Sequence, residues 1–344
     1  MGTRTTQVTD ASAWIPATLE ADQSWLFRLD PEAMNELEQA LAAVRQLPVT
    51  DIRKENFPLG RLADMLRAVS AQVEEGVGMA VVRGLPVLEY SKEDAARIFW
   101  GMGCHLGRPV HQNVRAHLLG HVRDEGVKYG HGTRGYNTSA KLNFHTDNCD
   151  VVGLLCLRAA RSGGLSRITS STSIFNRFVA QRPDLLPALF DGFYYDLKGE
   201  HLPGRPEISD HPIPVFSEEG GKLSCRYLRN AIEPGFVKSG RPATPQQTAA
   251  LDFFDAQATA PDLCYEMELE PGDMQFLNNH VIVHSRTAFV DHEDEDRKRH
   301  LLRLWLRTDH RPLAPEFADR FGPGTARLGV PTPEEVGLSR EAVR

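Results

Sequence analysis

Asn143-Phe144-His145-Thr146-Asp147, with the apolar run Val151-Val152-Gly153-Leu154-Leu155-Cys156-Leu157 just behind it, is the stretch on which the reading of this chain turns. In extended backbone, alternate side chains leave on the same face. His145 and Asp147 then aim at one spot and Thr146 turns away. One imidazole and one carboxylate on a face are two of the three groups in a 2-His-1-carboxylate metal site. A chance His-x-Asp match is expected in a chain with 13 His and 46 acidic residues, and one occurs at His292-Glu293-Asp294. That match sits in a run of charges, Asp291 to Asp296, which reads as a solvated loop. His145 instead follows Leu142 and Phe144 and precedes a buried-strand pattern. The plainer reading of His145 and Asp147 is a hydrogen-bonded polar pair at a strand end.

Composition narrows the class. The chain has 344 residues, 41% hydrophobic and 25% charged, enough for one large domain with a core of its own. Net charge is −7 and there is no basic stripe, which argues against a nucleic-acid partner. No apolar run approaches the ~20 residues that span a bilayer. The start, Met1 to Thr6, is polar and lacks an apolar signal core. Five scattered cysteines without a Cys-x-x-Cys pair point to reduced thiols and a cytoplasmic protein. Oligomeric state is open, a homo-oligomer included.

Helical spacing and caps predict helices after Asp30-Pro31, from about Leu59 to Val73, after Ser91, near Ser173–Gln181 and from Pro245 to about Ala258. Strands are predicted at Trp25–Phe27, Gly78–Gly84, Val151–Leu157, Cys264–Leu269, Met274–Leu277, Val281–Ser285 and Leu301–Arg307. Residues 192–230 read as short strands around turns. Polar loops at Arg108–Asn113 and Gly130–Tyr136 have the composition of site-lining segments. The expected fold class is α+β with a β-sandwich or barrel core. One domain is expected: a mainly helical extension over 1–75, the core over 76–310 with an insertion near 170–262, and a tail over 311–344.

A third metal ligand must come from a strand far away in sequence. Asn278-Asn279-His280-Val281-Ile282-Val283-His284 offers two histidines. His280 lies beside Asn-Asn and reads as structural; His284 follows the apolar strand. In the next strand, Arg299, Arg303 and Arg307 are spaced to share a face, and an arginine buried in a barrel needs an anion. Arginine binds a carboxylate through a planar fork. The alternative is a solvated basic edge strand.

Taken together, Leu106-Gly107-Arg108-Pro109 with Gln112, Phe144-His145-Thr146-Asp147, Gly163-Gly164-Leu165-Ser166, and His284-Ser285-Arg286-Thr287-Ala288-Phe289 followed by Arg299 and Arg303 resemble the taurine-dioxygenase group of Fe(II)/2-oxoglutarate-dependent oxygenases. That group includes relatives of clavaminate synthase and asparagine oxygenase. The resemblance runs from about Gly78 to Arg307. It implies a double-stranded β-helix (jelly-roll, cupin-like) with flanking helices. It implies His145, Asp147 and His284 as iron ligands and Arg299 as the clamp for the distal carboxylate of 2-oxoglutarate. Ser166 falls where the family often has a threonine bound to that carboxylate, and Arg303 is placed to contact cosubstrate or substrate. With O2, such a site hydroxylates or desaturates an unactivated C–H bond of a small molecule, such as a carboxylic acid, amino acid or natural-product intermediate, and releases succinate and CO2. Related halogenases lack the ligating carboxylate, so Asp147 favours hydroxylation or desaturation. Gln112, Asn113, Tyr136, Asn148, Arg226 and Tyr227 are the expected substrate-pocket residues. Two other classes stay open: a zinc hydrolase-like metalloprotein, which has no need of Arg299 or Ser166, and a non-enzymatic β-barrel binding protein, which has no need of the triad.

Overall fold

The structure is a computed structural model; it describes residues 4–113, 115–127, 135–321, 325, 329–332 and 334–337. Of the polar loop Gly130–Tyr136, residues 130–134 lie outside the described ones.

Two antiparallel-rich sheets face each other. The larger runs in the order Leu26–Arg28, Met79–Arg83, Met274–Asn278, Val151–Arg158, His300–Arg307, and both Arg108–Pro109 and Leu119–Val122 pair with the last of these. The smaller runs Cys264–Met267, Ser166–Ser170, Ile282–Arg286, Leu142–His145. Neighbouring strands come from distant parts of the sequence, the signature of a jelly-roll rather than a meander.

The central strands of the larger sheet are covered on both faces, and Val151–Leu157 among them is apolar without a break. One face, with Ala80, Val82, Leu155, Met274, Phe276, Leu302, Leu304 and Leu306, packs under three helices. These are Pro31–Val44, capped by the Asp30 carboxylate; Arg61–Glu74; and Lys92–Leu106, capped by the Ser91 hydroxyl. The opposite face, with Met79, Val81, Val152, Leu277 and Trp305, meets Ile168 and Ile282 of the smaller sheet inside the barrel. Each such fully buried side chain contributes about 1.5–3 kcal/mol relative to exposure, which fixes both sheets against each other and holds their ends in register.

Between Ser166–Ser170 and Cys264–Met267 the chain makes a separate layer: helices Ser171–Gln181, Leu186–Asp191, Arg229–Ser239 and Pro245–Ala258, and the hairpin Phe216–Glu219 with Lys222–Cys225. Its core is aromatic, with Phe175 and Phe178 edge-on to Phe216, and Tyr227 stacked on Phe254 at 3.9 Å between centroids.

Two expectations need correction here. Residues 192–230 were expected as short strands around turns, and Phe216–Glu219 and Lys222–Cys225 are such strands; the helix that starts at Arg229 was not expected. Pro234 inside it hides the pattern, and Gly235 is there because a Cβ would come within 1.9 Å of the Tyr194 carbonyl oxygen where the chain crosses the helix. Arg307 does not join Arg299 and Arg303 as a buried cation. It sits at the strand end, where its Nε donates to Asp309 at 2.7 Å.

Candidate active site

His145 ends its strand directly opposite His284 in the antiparallel pair Leu142–His145 and Ile282–Arg286. The strand stops there, and the chain carries Asp147 round to the same spot. Three contacts hold that bend. Thr146 is turned away and exchanges backbone and hydroxyl hydrogen bonds with the backbone of Tyr227. The Asp147 N–H donates to Asn279 Oδ1 at 2.9 Å. The Trp305 indole N–H donates to Asp147 Oδ2 at 2.9 Å. Asn279 and Trp305 come from the larger sheet's side, so the bend is clamped from outside its own strand.

The result is a triad. One ligand atom each from His145, Asp147 and His284 lies within 4.8 Å of the others. Nε2 of each histidine is 3.9 Å from an Asp147 oxygen, on opposite oxygens. His145 Nδ1 is 2.8 Å from the Asn143 carbonyl oxygen, so Nδ1 carries the proton and the Nε2 lone pair is free. His284 Nδ1 is buried with no hydrogen-bond partner among the described residues.

Electrostatics favour the metal-binding protonation states. Burial pushes the imidazoles down from their ordinary value, His284 to about 3, so both are neutral at pH 7. Burial works the other way on Asp147, but the Arg303 guanidinium at 3.5 Å first, then the two imidazoles and the Trp305 hydrogen bond, outweigh it and hold the carboxyl below its usual range. Two neutral imidazoles and a carboxylate on one face are the donor set of a non-haem iron site. The residues present therefore fit an Fe(II) ion.

The triad opens into a cavity of about 730 Å³. Tyr136, Asn143, Asn148, Arg303, Trp305 and Arg320 line it from the barrel side and from the segment after the last strand. Lys198 and Glu200 line it from the loop beyond the small-helix layer, and Leu228, Arg229, Asn230, Glu233, Pro234, Val237 and Lys238 close it from the helix Arg229–Ser239.

Arg299 lies deeper. It is buried, its NH1 has no partner, and it faces Phe289 with its Cζ 5.1 Å from the ring centroid. Burial pushes its pKa down to about 10. Arg286 flanks the same ring at 4.7 Å and is anchored on the carbonyls of Thr138 and Ala140. Gly164, at φ +74°, lets Arg299 approach: a Cβ there would sit 3.0 Å from Nε. Ser166 is paired with Arg286 across the sheet and donates to Gln275 Oε1 at 3.0 Å. A buried guanidinium with open donors is a site for a carboxylate.

The expected pocket residues divide. Tyr136 lines the cavity and stacks under Arg303, 4.5 Å from Cζ to its centroid; Asn148 lines it and donates to the Gly329 carbonyl. Gln112 does not line it. It is buried behind Arg303, accepting from Arg303 Nε at 2.7 Å and donating to the Arg303 carbonyl. Asn113 is spent on its own turn, bonded to Arg115 and His117. Tyr227 is fully buried, its hydroxyl on Asp255 at 2.6 Å, and serves the site only through its backbone. Arg226 does not line the cavity; it is half-buried, with its Cζ 5.0 Å from the Phe317 centroid. His280 is structural, as expected, with Nε2 2.8 Å from Asp150. Trp305, Asn279, Arg320 and the wall from helix Arg229–Ser239 were missed; an Asn beside a strand is a weak signal, and the helix was masked by its proline.

Comparison with known proteins decides the family. The model of the "Taurine catabolism dioxygenase TauD, TfdA family" matches residues 43–305. The chain belongs to this family. The FR-33289 synthase of Streptomyces rubellomurinus is 35% identical over 314 residues, covering 88% of this chain and 91% of that protein. The L-asparagine oxygenase of Streptomyces coelicolor is 27% identical over 278 residues, 72% and 77% of the two chains. Among solved structures, an asparagine oxygenase in complex with Fe(II), hydroxyasparagine and succinate superposes with a TM-score of 0.66 at 20% identity, covering 88% of this chain and 98% of that one. The non-haem iron oxygenase OrfP with Fe and α-ketoglutaric acid gives 0.57 at 16%, covering 83% and 94%. The double-stranded β-helix core is thus shared. The chain is an Fe(II)- and 2-oxoglutarate-dependent dioxygenase, and the hydrolase and binding-protein alternatives fall. Among the described residues no helix is long and apolar enough to cross a membrane.

Proposed function

We propose that His145, Asp147 and His284 hold the Fe(II), that Arg299 and Ser166 receive the distal carboxylate of 2-oxoglutarate, and that the cavity beyond Arg303 takes a small-molecule substrate for hydroxylation or desaturation. The convergence of the three ligand atoms from two strands and a clamped bend carries this reading. When bound, iron with 2-oxoglutarate supplies O2 activation coupled to release of succinate and CO2.

The chain's own residues do the positioning. Trp305 fixes the Asp147 carboxylate, Asn279 fixes the Asp147 backbone, and the Asn143 carbonyl fixes the tautomer of His145. Arg303, braced by Gln112 and Tyr136, balances the Asp147 charge and faces the cavity. Arg299 packs against Gly164 and keeps its Nη1 unsatisfied, a donor for the distal carboxylate. The helix Arg229–Ser239 forms one wall of the cavity. Asp147 fills the position that halogenases leave open for chloride, so oxygen transfer or desaturation is the outcome. The five free cysteines, four of them buried, suit a reducing cytoplasm.

The test is anaerobic addition of Fe(II) and 2-oxoglutarate to the metal-free protein. A visible charge-transfer band is expected, lost in His145→Ala and His284→Ala. No band, or a band that survives both substitutions, overturns the assignment.

A further inference from the structure

The charges of the cavity do not balance. Of its cations, Arg303 is with Asp147, Arg229 with Glu233, Asp252 and Asp255, and Lys238 with Asp196 and Glu207. Lys198 has partners as well. Arg320 has none: among the described residues its side chain makes no hydrogen bond and no ion pair. Its residue is only 8% exposed, yet it lines the cavity. Its Nε is fully buried and unsatisfied. It is held flat by aromatic rings, with Cζ 5.7 Å from the Tyr195 centroid and 5.2 Å from that of Phe321. Arg226 stands beside it, half-buried but with its Nη1 buried and unsatisfied, and the two guanidiniums repel each other.

A buried guanidinium beside a second, half-buried one, without an anion, is costly to keep. Aromatic faces offset part of that cost, and hold the fork in one orientation, toward the cavity. An arginine cannot relieve the strain by giving up its proton at pH 7. Its field reaches Asp147, so the cation stands within electrostatic range of the triad but off its hydrogen-bonding contacts. Leu228, Pro234 and the 82%-exposed Val237 add apolar surface to a lining that also holds Arg229, Asn230, Glu233 and Lys238.

We propose that the substrate is a small organic anion whose carboxylate or phosphonate group seats on Arg320, with Arg226 beside it, and whose apolar stem lies against Leu228, Pro234 and Val237. This rests on the cavity being the substrate site of the oxygenase proposed above. Arg320 is then a substrate-binding residue distinct from Arg299, which serves the cosubstrate.

The probes are butyrate, propylphosphonate, the neutral butyramide and inorganic phosphate, titrated calorimetrically into the full chain with Fe(II) and saturating 2-oxoglutarate under anaerobic conditions. Butyrate, propylphosphonate or both should bind at least tenfold more tightly than butyramide, and the tighter of the two names the head group. Arg320→Gln should weaken that binding by about 10- to 150-fold, the worth of a charged bidentate contact, and Arg226→Gln by less. The affinity for 2-oxoglutarate should stay within twofold in both variants. Because Arg320 lacks a partner, Arg320→Gln and Arg320→Met should melt no lower than the parent protein. Equal binding of butyramide, full binding by Arg320→Gln, or a lower melting temperature in both Arg320 variants overturns the proposal. So does inorganic phosphate binding as tightly as propylphosphonate, which means an inorganic-anion site only. If the charge-transfer band fails while anion binding stands, the iron-site assignment falls and this one survives; the reverse result sinks this one alone.

Discussion

Trp305→Phe isolates the clamp on Asp147. The substitution removes one donor, the indole N–H that lies 2.9 Å from Oδ2, and keeps a ring in the barrel interior. A hydrogen bond to a charged acceptor contributes about 1.5–3 kcal/mol. Partners of metal ligands are typically worth about 10–100-fold in metal affinity, which is about 1.4–2.8 kcal/mol, so two independent scales agree. Arg303 at 3.5 Å and the Asn279 contact remain, so the carboxylate stays ionised and near its place. Fe(II) affinity, measured anaerobically against a competing chelator, should fall by about 10–100-fold. The smaller ring also loosens packing, and Val152→Ala controls for this, because Val152 is the cross-strand partner of Trp305 and has no polar contact with Asp147. That variant should melt lower and bind Fe(II) within twofold of the parent. Fe(II) binding by Trp305→Phe within twofold of the parent, or an equal loss in Val152→Ala, refutes the clamp.

Three further outcomes follow from other parts of the structure. Arg299→Gln should weaken 2-oxoglutarate by the cost of breaking a buried charge pair, about 2–5 kcal/mol, with Fe(II) affinity unchanged by chelator competition; a shift below twofold in the 2-oxoglutarate titration contradicts the role of Arg299. Tyr227→Phe removes the hydroxyl bonded to Asp255 in the buried layer, so chemical denaturation should show a loss of about 1–3 kcal/mol with 2-oxoglutarate affinity unchanged; altered turnover at unchanged stability would return Tyr227 to the pocket. His300, buried and hydrogen-bonded to His121, has its pKa pushed down to about 4, by burial first and then by His121 and nearby basic groups. A depressed imidazole adds stability that is complete above its unfolded value and is lost as pH falls from about 6.5 toward about 4. Melting of the metal-free protein from pH 7.5 to 4.5 should therefore drop less steeply in His300→Gln; identical slopes would show that this pair does not set the acid limit.

The barrel could be read from the sequence because its strands are apolar and bounded by turns. Val151–Arg158, Met274–Asn278, Ile282–Arg286 and His300–Arg307 all fall within about a residue or two of their expected places. His145 and Asp147 were visible through their two-residue spacing, although the strand ends at His145 and a bend, not the pleat, delivers Asp147. The pocket was less legible. Gln112 and Tyr227 were chosen for polarity and nearness to ligand segments, and both turned out to support other residues from behind. What lines the cavity depends on the layer inserted before Cys264 and on Arg320 returning from beyond the last strand. The layer is held by long-range packing of Phe175, Phe178, Phe216 and Phe254, Arg320 is seated against Tyr195 and Phe321, and no local periodicity encodes either placement.

The most direct measurement is diffraction from crystals grown anaerobically with Fe(II) and 2-oxoglutarate, recorded on both sides of the iron absorption edge. The account predicts one anomalous peak bonded to Nε2 of His145, Nε2 of His284 and a carboxylate oxygen of Asp147, with the distal carboxylate of 2-oxoglutarate on Arg299. A peak elsewhere, a peak that lacks any one of those three ligands, or 2-oxoglutarate seated away from Arg299 would contradict it.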